Sequence, residues 1–248
     1  MAATPAPPGS TLVALPYVSK IGFVAGFVQS IVQAITTRNM HPAKIMWLGD
    51  HSISDARNAA CEVAIDRGFE YLLFIDSDMD FPPDTLARLK ACKADIACAD
   101  MWSRGWPSFR TVMRNGARDK DGLILSVPVP DEDLPPPWGR GVEDVDLCGM
   151  ACTLIRVDFL VKYQERYTDQ PWFWVARHGE DATFCFNARE MGASIKCDFG
   201  IVAGHWGVCR NIGQDYTRDA KNQPMSVSQE PMMRRMGVHN LPQAKESV

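Results

Sequence analysis

The 248-residue chain lacks several features that mark whole classes of protein. It contains no CxxC pair, so neither a zinc ribbon nor a dithiol redox site is indicated. No basic stretch precedes an apolar segment at the N-terminus, as in a signal peptide, and no apolar run is long enough to cross a bilayer. A net charge of −4 provides no general attraction to nucleic acid, although a local basic patch is compatible with it.

The eight cysteines favour a cytoplasmic protein. Most of them lie among apolar residues, which is typical of reduced thiols in a core and not of a disulfide framework. We expect one domain over residues 11–213. The proline-rich residues 1–10 are expected to form a disordered lead-in, and residues 214–248 an irregular C-terminal tail.

Short apolar runs alternate with helical patterns in the first part of the chain. Strands are predicted at residues 11–15, 44–48, 71–75 and 95–99, and helices at residues 23–37, 55–67 and 83–93. The later part is less regular, with strands near 109–114, 123–127, 148–155 and 194–199, a loop at 131–140, and helices at 157–163 and 180–191. This alternation predicts an α/β fold with a largely parallel sheet.

An acidic cluster directly follows the predicted central strand. Residues 71–75 are an unbroken apolar run, typical of a strand covered on both faces. Asp76 and Asp78 come next, and their alternation places both carboxylates on one side of an extended backbone. Ligands bind at this end of strands in open α/β sheets, and converging carboxylates suit Mg²⁺ or Mn²⁺ shared with substrate phosphates. The alternative is that Asp76, Asp78 and Asp80 are solvated loop residues, one of which caps the next helix.

Two further groups carry candidate chemistry. Glu180 and Asp181 follow Gly179 at the start of a predicted helix, and His205 follows the last predicted strand. Each has an ordinary alternative, because the two acids could merely complement the helix dipole and the histidine could be a satisfied loop residue. Considered together with the aspartates, they match one known arrangement.

Four motifs resemble those of the GT-A glycosyltransferases, especially the family 2-like enzymes of bacteria and phages. Residues 54–60, SDARNAA, resemble the family's ARN helix, and residues 74–83, FIDSDMDFPP, resemble its DxD motif. Residues 148–156, CGMACTLIR, resemble its acceptor-side strand. Residues 179–185, GEDATFC, followed by His205, resemble its xED motif and late metal-binding histidine.

The resemblance extends from about Leu12 to Gly207 and implies a Rossmann-like GT-A fold. Such a fold is one domain with a mixed, mainly parallel sheet flanked by helices. The resemblance also implies an enzyme of the cytoplasm of a bacterial or phage-infected cell. One departure from the pattern is Gly204, which replaces the more usual apolar residue directly before the histidine.

The family's donor is a nucleotide diphosphate sugar, with a UDP-sugar as the first expectation, and its cofactor is Mn²⁺ or Mg²⁺. The cation offsets the diphosphate charge. Asp78 and His205 would hold it with Asp76 beside them, and Mn²⁺ accepts mixed oxygen and imidazole ligation better than Mg²⁺. Because Asp80 adds a third acid, either Asp78 or Asp80 could be the main ligand. The implied donor-binding residues are Pro16, Tyr17, Asp50, Arg57, Asp76 and Ser77.

Sugar transfer also needs a base for the acceptor proton. In inverting family members the xED aspartate fills this role, which corresponds to Asp181, and Glu180 would orient a hydroxyl. A retaining enzyme would not need Asp181 as the base. We predict an inverting metal-dependent transferase.

One segment of the chain offers candidate contacts for the acceptor. Residues 102–120 interleave basic and aromatic side chains, which could contact a nucleic-acid backbone or a flipped base. Since phage relatives are thought to glycosylate hydroxymethylated pyrimidines, DNA is a candidate acceptor, and small molecules, glycans and proteins are alternatives. A binding module without catalysis is another alternative, whereas a nucleotidyltransferase is disfavoured because residues 16–22 hold only one glycine. The candidate acceptor contacts are Trp102, Arg110, Arg114 and Trp174.

Overall fold

A computed structural model describes residues 5–17, 23–41, 43–103, 110–118, 124–130, 141–175, 179–206 and 211–212. These residues form one α/β domain. In chain order its elements are β1 Thr11–Tyr17, α1 Ala25–Thr36, β2 Ala43–Gly49, α2 Ile53–Asp66, β3 Tyr71–Ile75, β4 Met79–Asp80, α3 Thr85–Ala91, β5 Ile96–Met101, β6 Met113–Arg118, β7 Ile124–Pro128, β8 Val142–Asp144, β9 Cys152–Arg156, α4 Val157–Arg166, α5 Glu180–Glu190, β10 Ile195–Trp206 and β11 Asn211–Ile212.

The central sheet is mixed and mainly parallel. Its strand order is β11-β10-β5-β9-β3-β1-β2, and β4 and β8 pair with β10. β1 is parallel to β2 and β3, and β5 is parallel to β10, whereas β9 is antiparallel to both β3 and β5. β1, β2, β3, β5 and β10 therefore end at the same edge of the sheet. The fold class predicted from the sequence is confirmed.

Burial explains why the central elements form where they do. Residues 72–75 of β3 are fully buried, as expected for a strand covered on both faces. In α2, Ala56, Ala60 and Ala64 recur at every fourth position and are buried, so the helix can lie close against the sheet. α2 is capped by Ser52, whose hydroxyl accepts a hydrogen bond from the backbone N–H of Asp55 at 3.2 Å. Ser54 and Asp55, which the sequence favours as N-caps of this helix, lie within its first turn instead.

Some boundaries differ from those predicted. The strand expected at 148–155 begins only at Cys152, because residues 148–151 turn into the site. The last strand extends to Trp206, past a register shift between Asp198 and Val202. Part of the lead-in is packed against the domain, since the N–H of Ala6 donates to Arg67 O at 2.8 Å. The tail 214–248 and the loop 131–140 lie outside the described residues.

The state of the cysteines and the character of the helices bear on two expectations from the sequence. Seven cysteines fall within the described ranges, and all seven are buried free thiols. None of the helices in those ranges combines the length and apolar character that crossing a bilayer would require.

Candidate functional site

The predicted site residues come from three places in the chain. Asp76, Ser77 and Asp78 follow the carboxyl end of β3, in a turn where the N–H of Met79 donates to Asp76 O at 3.1 Å. Asp181 lies in the first turn of α5 and Arg57 in the first turns of α2. The fold brings these groups together at the edge where the parallel strands end.

Arg57 joins the DxD and xED segments. Its guanidinium donates to Glu180 Oε1 at 2.9 Å and to Asp181 Oδ1, and it lies 3.7 Å from Asp76 Oδ2. Only 3% of this side chain is exposed. The rings of Phe74 and Phe173 lie 6.0 and 5.8 Å from it. Arg57 is therefore the buried counter-ion of these acidic groups, and the donor contact that the family resemblance implies for it stays a prediction.

The charge on Arg57 is maintained by its neighbours. Burial lowers the pKa of the guanidinium, but Asp181, Asp76 and Glu180 raise it more, and the net shift is upward. One buried cation thus faces three carboxylates. Removing it would leave those carboxylates to repel one another with no compensation.

Asp181 has an environment suited to proton transfer. Burial raises the pKa of its carboxyl to about 6, against the lowering effect of Arg57, while Glu180 and Asp76 raise it further. The N–H of Met150 donates to Asp181 Oδ2 at 3.1 Å and orients the group. Since 29% of the side chain remains exposed, the carboxyl can exchange a proton with solvent or a bound molecule. A carboxylate of this pKa is a better base near neutral pH than an ordinary aspartate.

Asp78 and His205 are brought together by strand pairing. β4 runs antiparallel to β10 and aligns Met79 with His205 and Asp80 with Gly204. The N–H of Trp206 donates to Asp78 O at 2.8 Å. His205 Nε2 lies 3.4 Å from Asp78 Oδ1.

The orientation of His205 leaves one nitrogen for a cation. Its Nδ1 lies 3.0 Å from the carbonyl oxygen of Trp102, which can only accept, so Nδ1 carries the proton. In the neutral ring Nε2 then holds a lone pair, and it is buried with no hydrogen-bond partner among the described residues. Such a lone pair beside a carboxylate oxygen is unfavourable unless a proton or a cation lies between them. The arrangement fits a divalent metal that accepts both oxygen and nitrogen ligands.

The protein supplies part of a coordination sphere. Within the described ranges, no three His, Cys, Asp or Glu side chains converge closely enough to hold one metal ion. Asp80 is engaged elsewhere, because its two carboxylate oxygens accept from the N–H of Gly204 at 2.9 Å and from Trp206 Nε1 at 3.2 Å. Of Asp78 and Asp80, Asp78 therefore lies beside the histidine. Water and substrate phosphates commonly complete sites with so few protein ligands.

Aromatic side chains border the neighbouring strand ends. Pro16 and Tyr17 end β1, and the Tyr17 ring lies 5.1 Å from Phe23 and 6.3 Å from Trp47. Asp50 follows β2 with a φ of 60°, and its N–H donates to Tyr17 O at 3.1 Å. This left-handed backbone is uncommon for a residue with a side chain, and such strain clusters at ligand sites. The sequence had identified Pro16, Tyr17 and Asp50 but not the aromatic neighbours.

Two of the predicted acceptor contacts are not at the surface. Arg110 is buried and donates to both carboxylate oxygens of Asp100, at 2.6 and 3.1 Å, and to Val129 O at 2.6 Å. Trp102 is also buried, 4.8 Å from that guanidinium. Both belong to the core and cannot meet a macromolecule without rearrangement. Arg114 is half-buried on β6.

Asn58 is a functional candidate that sequence reasoning missed. Its amide donates to Phe173 O at 2.7 Å, and its carbonyl oxygen accepts from Phe173 N–H at 2.9 Å. This pair of bonds holds the segment that carries the half-buried Trp174 and leads towards α5. The available signal was its position directly after Arg57, in the motif that resembles the family's ARN helix.

No protein-family model matches the chain, and no curated protein matches it. Among solved structures, A197 from STIV is similar with a TM-score of 0.52 and 17% sequence identity, covering 79% of this chain and 85% of that chain. The structure of GalNAc-T7 with UDP, GalNAc and Mn²⁺ has a TM-score of 0.48 and 11% sequence identity, and the match covers 79% of this chain and 43% of that chain. At such identities likeness concerns the fold alone. The strand order and the similarity to A197 agree with the Rossmann-like GT-A fold that the motifs predicted.

Proposed function

We propose that the protein is a metal-dependent, inverting glycosyltransferase that moves a sugar from a nucleotide diphosphate sugar to an acceptor hydroxyl. The observation that carries this proposal is the joining of an aspartate of pKa about 6, Asp181, to the DxD aspartate Asp76 through the buried Arg57. This contact supports a proposed base and a proposed diphosphate-binding residue acting side by side. We place the enzyme in the cytoplasm of a bacterial or phage-infected cell.

Asp78 and His205 would hold the divalent cation, and their oxygen and imidazole donors favour Mn²⁺ over Mg²⁺. When bound, the cation offsets charge on the diphosphate as it leaves. The protein prepares for this by fixing the tautomer of His205 through Trp102 O. β4 holds Asp78 in register beside it.

The donor nucleotide, which we propose to be UDP, would lie against the ends of β1 and β2. Tyr17 offers an aromatic face there, and Asp50 offers a carboxylate for the base. Pro16 would line the same region, and Ser77, half-buried between the two aspartates, is a further candidate for donor binding. These assignments rest on position at the strand ends, where ligands bind in open α/β sheets.

Asp181 would act as the general base. Its carboxylate takes the proton of the acceptor hydroxyl as that oxygen bonds to the anomeric carbon, and the bond from that carbon to the diphosphate oxygen breaks on the opposite side. Glu180 would orient a hydroxyl, and Arg57 keeps both carboxylates in place. Attack from the side opposite the leaving group inverts the anomeric centre.

For the acceptor we propose a hydroxymethylated pyrimidine in phage DNA. The support is the basic and aromatic composition of residues 102–120, of which 104–109 and 119–120 lie outside the described residues. With Arg110 and Trp102 in the core, Arg114 and Trp174 are the described side chains left for this role. Transfer to a glycan, a protein or a small molecule but not to such DNA would replace this part of the proposal.

Donor binding can be tested without knowing the acceptor. Thermal unfolding is followed with a panel of nucleoside diphosphates and nucleotide sugars, with Mn²⁺ and with a chelator. A ligand that binds only the folded state raises Tm. We expect a Mn²⁺-dependent increase with one nucleotide, and no increase with any would contradict the proposal.

Catalysis needs a second experiment. Asp181→Asn should reduce transfer by about 10²-fold or more while keeping the Mn²⁺-dependent Tm increase. Asp158→Asn is the matched control, because Asp158 also lies in the first turn of a helix but pairs with the exposed Arg156. Transfer by Asp181→Asn at the wild-type rate would exclude this base. Donor binding with no transfer by the wild type would favour the inactive binding module.

A further inference from the structure

Helix α1 exposes apolar side chains where a surface helix usually carries charge. Val28, Val32 and Ile35 are 45%, 51% and 48% exposed. Their spacing places them on one side of the helix. No residue of α1 is charged. A solvated helix face normally bears charged or polar side chains, so this stripe indicates a surface that is covered by a partner.

Strand β2, next to this helix, is an edge of the sheet. Among the described residues it pairs only with β1, in a continuous seven-residue register without a bulge. Within the part of the chain that the structure describes, no strand pairs with the other row of its backbone N–H and C=O groups. Edges are usually protected by bulges, prolines or several charges, and Lys44 is the only charged residue in β2. Trp47 is 49% exposed on the same strand.

The stripe and the edge form one continuous surface. A groove of about 760 Å³ lies between the end of α1 and the start of β2, lined by Ile35, Arg38, Met40, His41, Ala43 and Ile45. At the other end, the ring of Phe23 lies 5.1 Å from that of Trp47. We name this surface the α1–β2 face and define it by Phe23, Val28, Val32, Ile35 and Trp47 together with the groove.

The composition of the α1–β2 face favours a protein partner over a lipid surface. A helix that lies on a membrane carries Lys or Arg along its polar side, whereas the exposed polar residues of α1 are Gln29, Gln33 and Thr36. The five defining side chains are uncharged and two of them are aromatic, which is typical of the centre of a protein interface, and Arg38 is a cation beside them in the groove. Residues 1–49 contain no acid, so no ion pair can form between two copies of this segment, and its contacts would be apolar, uncharged polar and backbone.

The area suits a second copy of this chain. From their exposed fractions, the five defining side chains present on the order of 450 Å² of apolar surface, over half of the roughly 800 Å² that each partner buries in a stable interface. The polar residues of α1 and the open backbone of β2 would supply the rest. A seven-residue edge strand can pair with itself about a two-fold axis, which is the commonest symmetry of dimers.

We propose that the α1–β2 face forms a symmetric homodimer in which the β2 strands pair antiparallel and the α1 helices pack across the axis. A register centred on Met46 places Ile45 opposite the partner's Trp47, and an aromatic side chain opposite a β-branched one is a favourable cross-strand pair. Lys44 then lies opposite the partner's Leu48, so like charges do not meet. The candidate functional site, at the ends of β3 and β10, stays accessible in each protomer.

Molar mass against concentration tests the dimer. Light scattering or sedimentation from about 1 µM to about 100 µM should give twice the 27.6 kDa of the chain. Val32→Glu should reduce the mass to that of one chain. Val127→Glu should not, since Val127 is equally exposed at 50% but lies on β7, outside the face. A wild type that stays at 27.6 kDa, or a Val32→Glu variant that stays dimeric, overturns the proposal.

Hydrogen exchange of the wild type keeps the test independent of how Val32→Glu folds. The β2 amides on the open edge should exchange more slowly as protein concentration rises, while those of β7 should not change. Equal exchange at all concentrations would contradict strand pairing. Co-sedimentation of the monomer with vesicles of anionic lipid, without dimer in solution, would replace the second copy by a membrane.

Discussion

Asp181 makes the stability of the protein depend on pH, and the sign of that dependence is set by the surroundings of its carboxyl. Two effects oppose each other, because burial favours the neutral carboxyl and Arg57 favours the carboxylate. With burial dominant, the pKa rises from an ordinary 3.8 to about 6. The folded state then binds a proton that the unfolded state has released between these values, so stability falls as pH rises from about 4 to above 6.

The size of this effect follows from the shift. At roughly 1.4 kcal/mol per pKa unit, the shift corresponds to up to about 3 kcal/mol, reduced by solvent screening because 29% of the side chain is exposed. Asp181→Asn removes this ionisation and leaves all others. The free energy of unfolding of the wild type, minus that of Asp181→Asn, should therefore decrease by about 2 to 3 kcal/mol between about pH 4 and pH 7.

Urea unfolding of both proteins at a series of pH values measures this difference. In the Arg57→Met background, the loss of the opposing cation should move the same decrease to higher pH. If the free energy of unfolding of the wild type minus that of Asp181→Asn stays constant with pH, or increases, burial does not dominate the pKa of Asp181 and Arg57 offsets or exceeds it. Asp181 would then be a permanent ion-pair partner and not a base, and a rise of transfer activity through about pH 6 would no longer be expected.

Three other changes have clear expectations. Arg57→Met should lower the free energy of unfolding by about 3 to 5 kcal/mol, measured in urea, because it leaves buried carboxylates without a counter-ion. Asp78→Asn should abolish the Mn²⁺-dependent increase in Tm, whereas Asp80→Asn should keep it and lower the Tm measured without metal, because both Asp80 oxygens accept hydrogen bonds. Gly26→Ala should destabilise the fold by about 1 to 3 kcal/mol in urea, because its Cβ would lie 2.5 Å from Trp206 Nε1.

Matched controls separate these effects from general damage. Arg156→Met breaks an exposed pair with Asp158 and should cost less than about 1 kcal/mol. Gly141→Ala adds a Cβ with no atom within 4 Å, so it should be nearly neutral. An equal decrease in the free energy of unfolding for Arg57→Met and Arg156→Met would contradict the packing described for Arg57. An equal decrease for Gly26→Ala and Gly141→Ala would contradict the packing described for Trp206.

The fold was predictable because its signals are local. The buried run of β3 and the alternation of strands and helices can be read within short windows of sequence. The mixed character of the sheet came only from the family resemblance, because no local pattern shows that β9 enters antiparallel between β3 and β5. The cap at Ser52 was missed because two adjacent candidates, Ser54 and Asp55, have equally suitable side chains.

The site combines residues that are far apart in the chain. Asp78 and His205 lie 3.4 Å apart between carboxylate and imidazole, and their role as metal ligands stays a prediction. Arg57 was expected to contact the donor, yet two of its partners, Glu180 and Asp181, lie more than a hundred residues away, and no local pattern shows where a long cation will be neutralised. The burial of Arg110, a candidate acceptor contact, was missed for a similar reason, since its pairing with Asp100 depends on how the chain returns after β5.

The position of β9 has a consequence for how the chain is made. β3 and β5 are both present once residue 101 has been synthesised, yet the strand that joins them begins only at Cys152. Until then the β1, β2 and β3 group and β5 each present an open edge to other chains in the cell. Fragments that stop before residue 152 should therefore aggregate, and assembly of the domain during translation must wait for a strand from its second half.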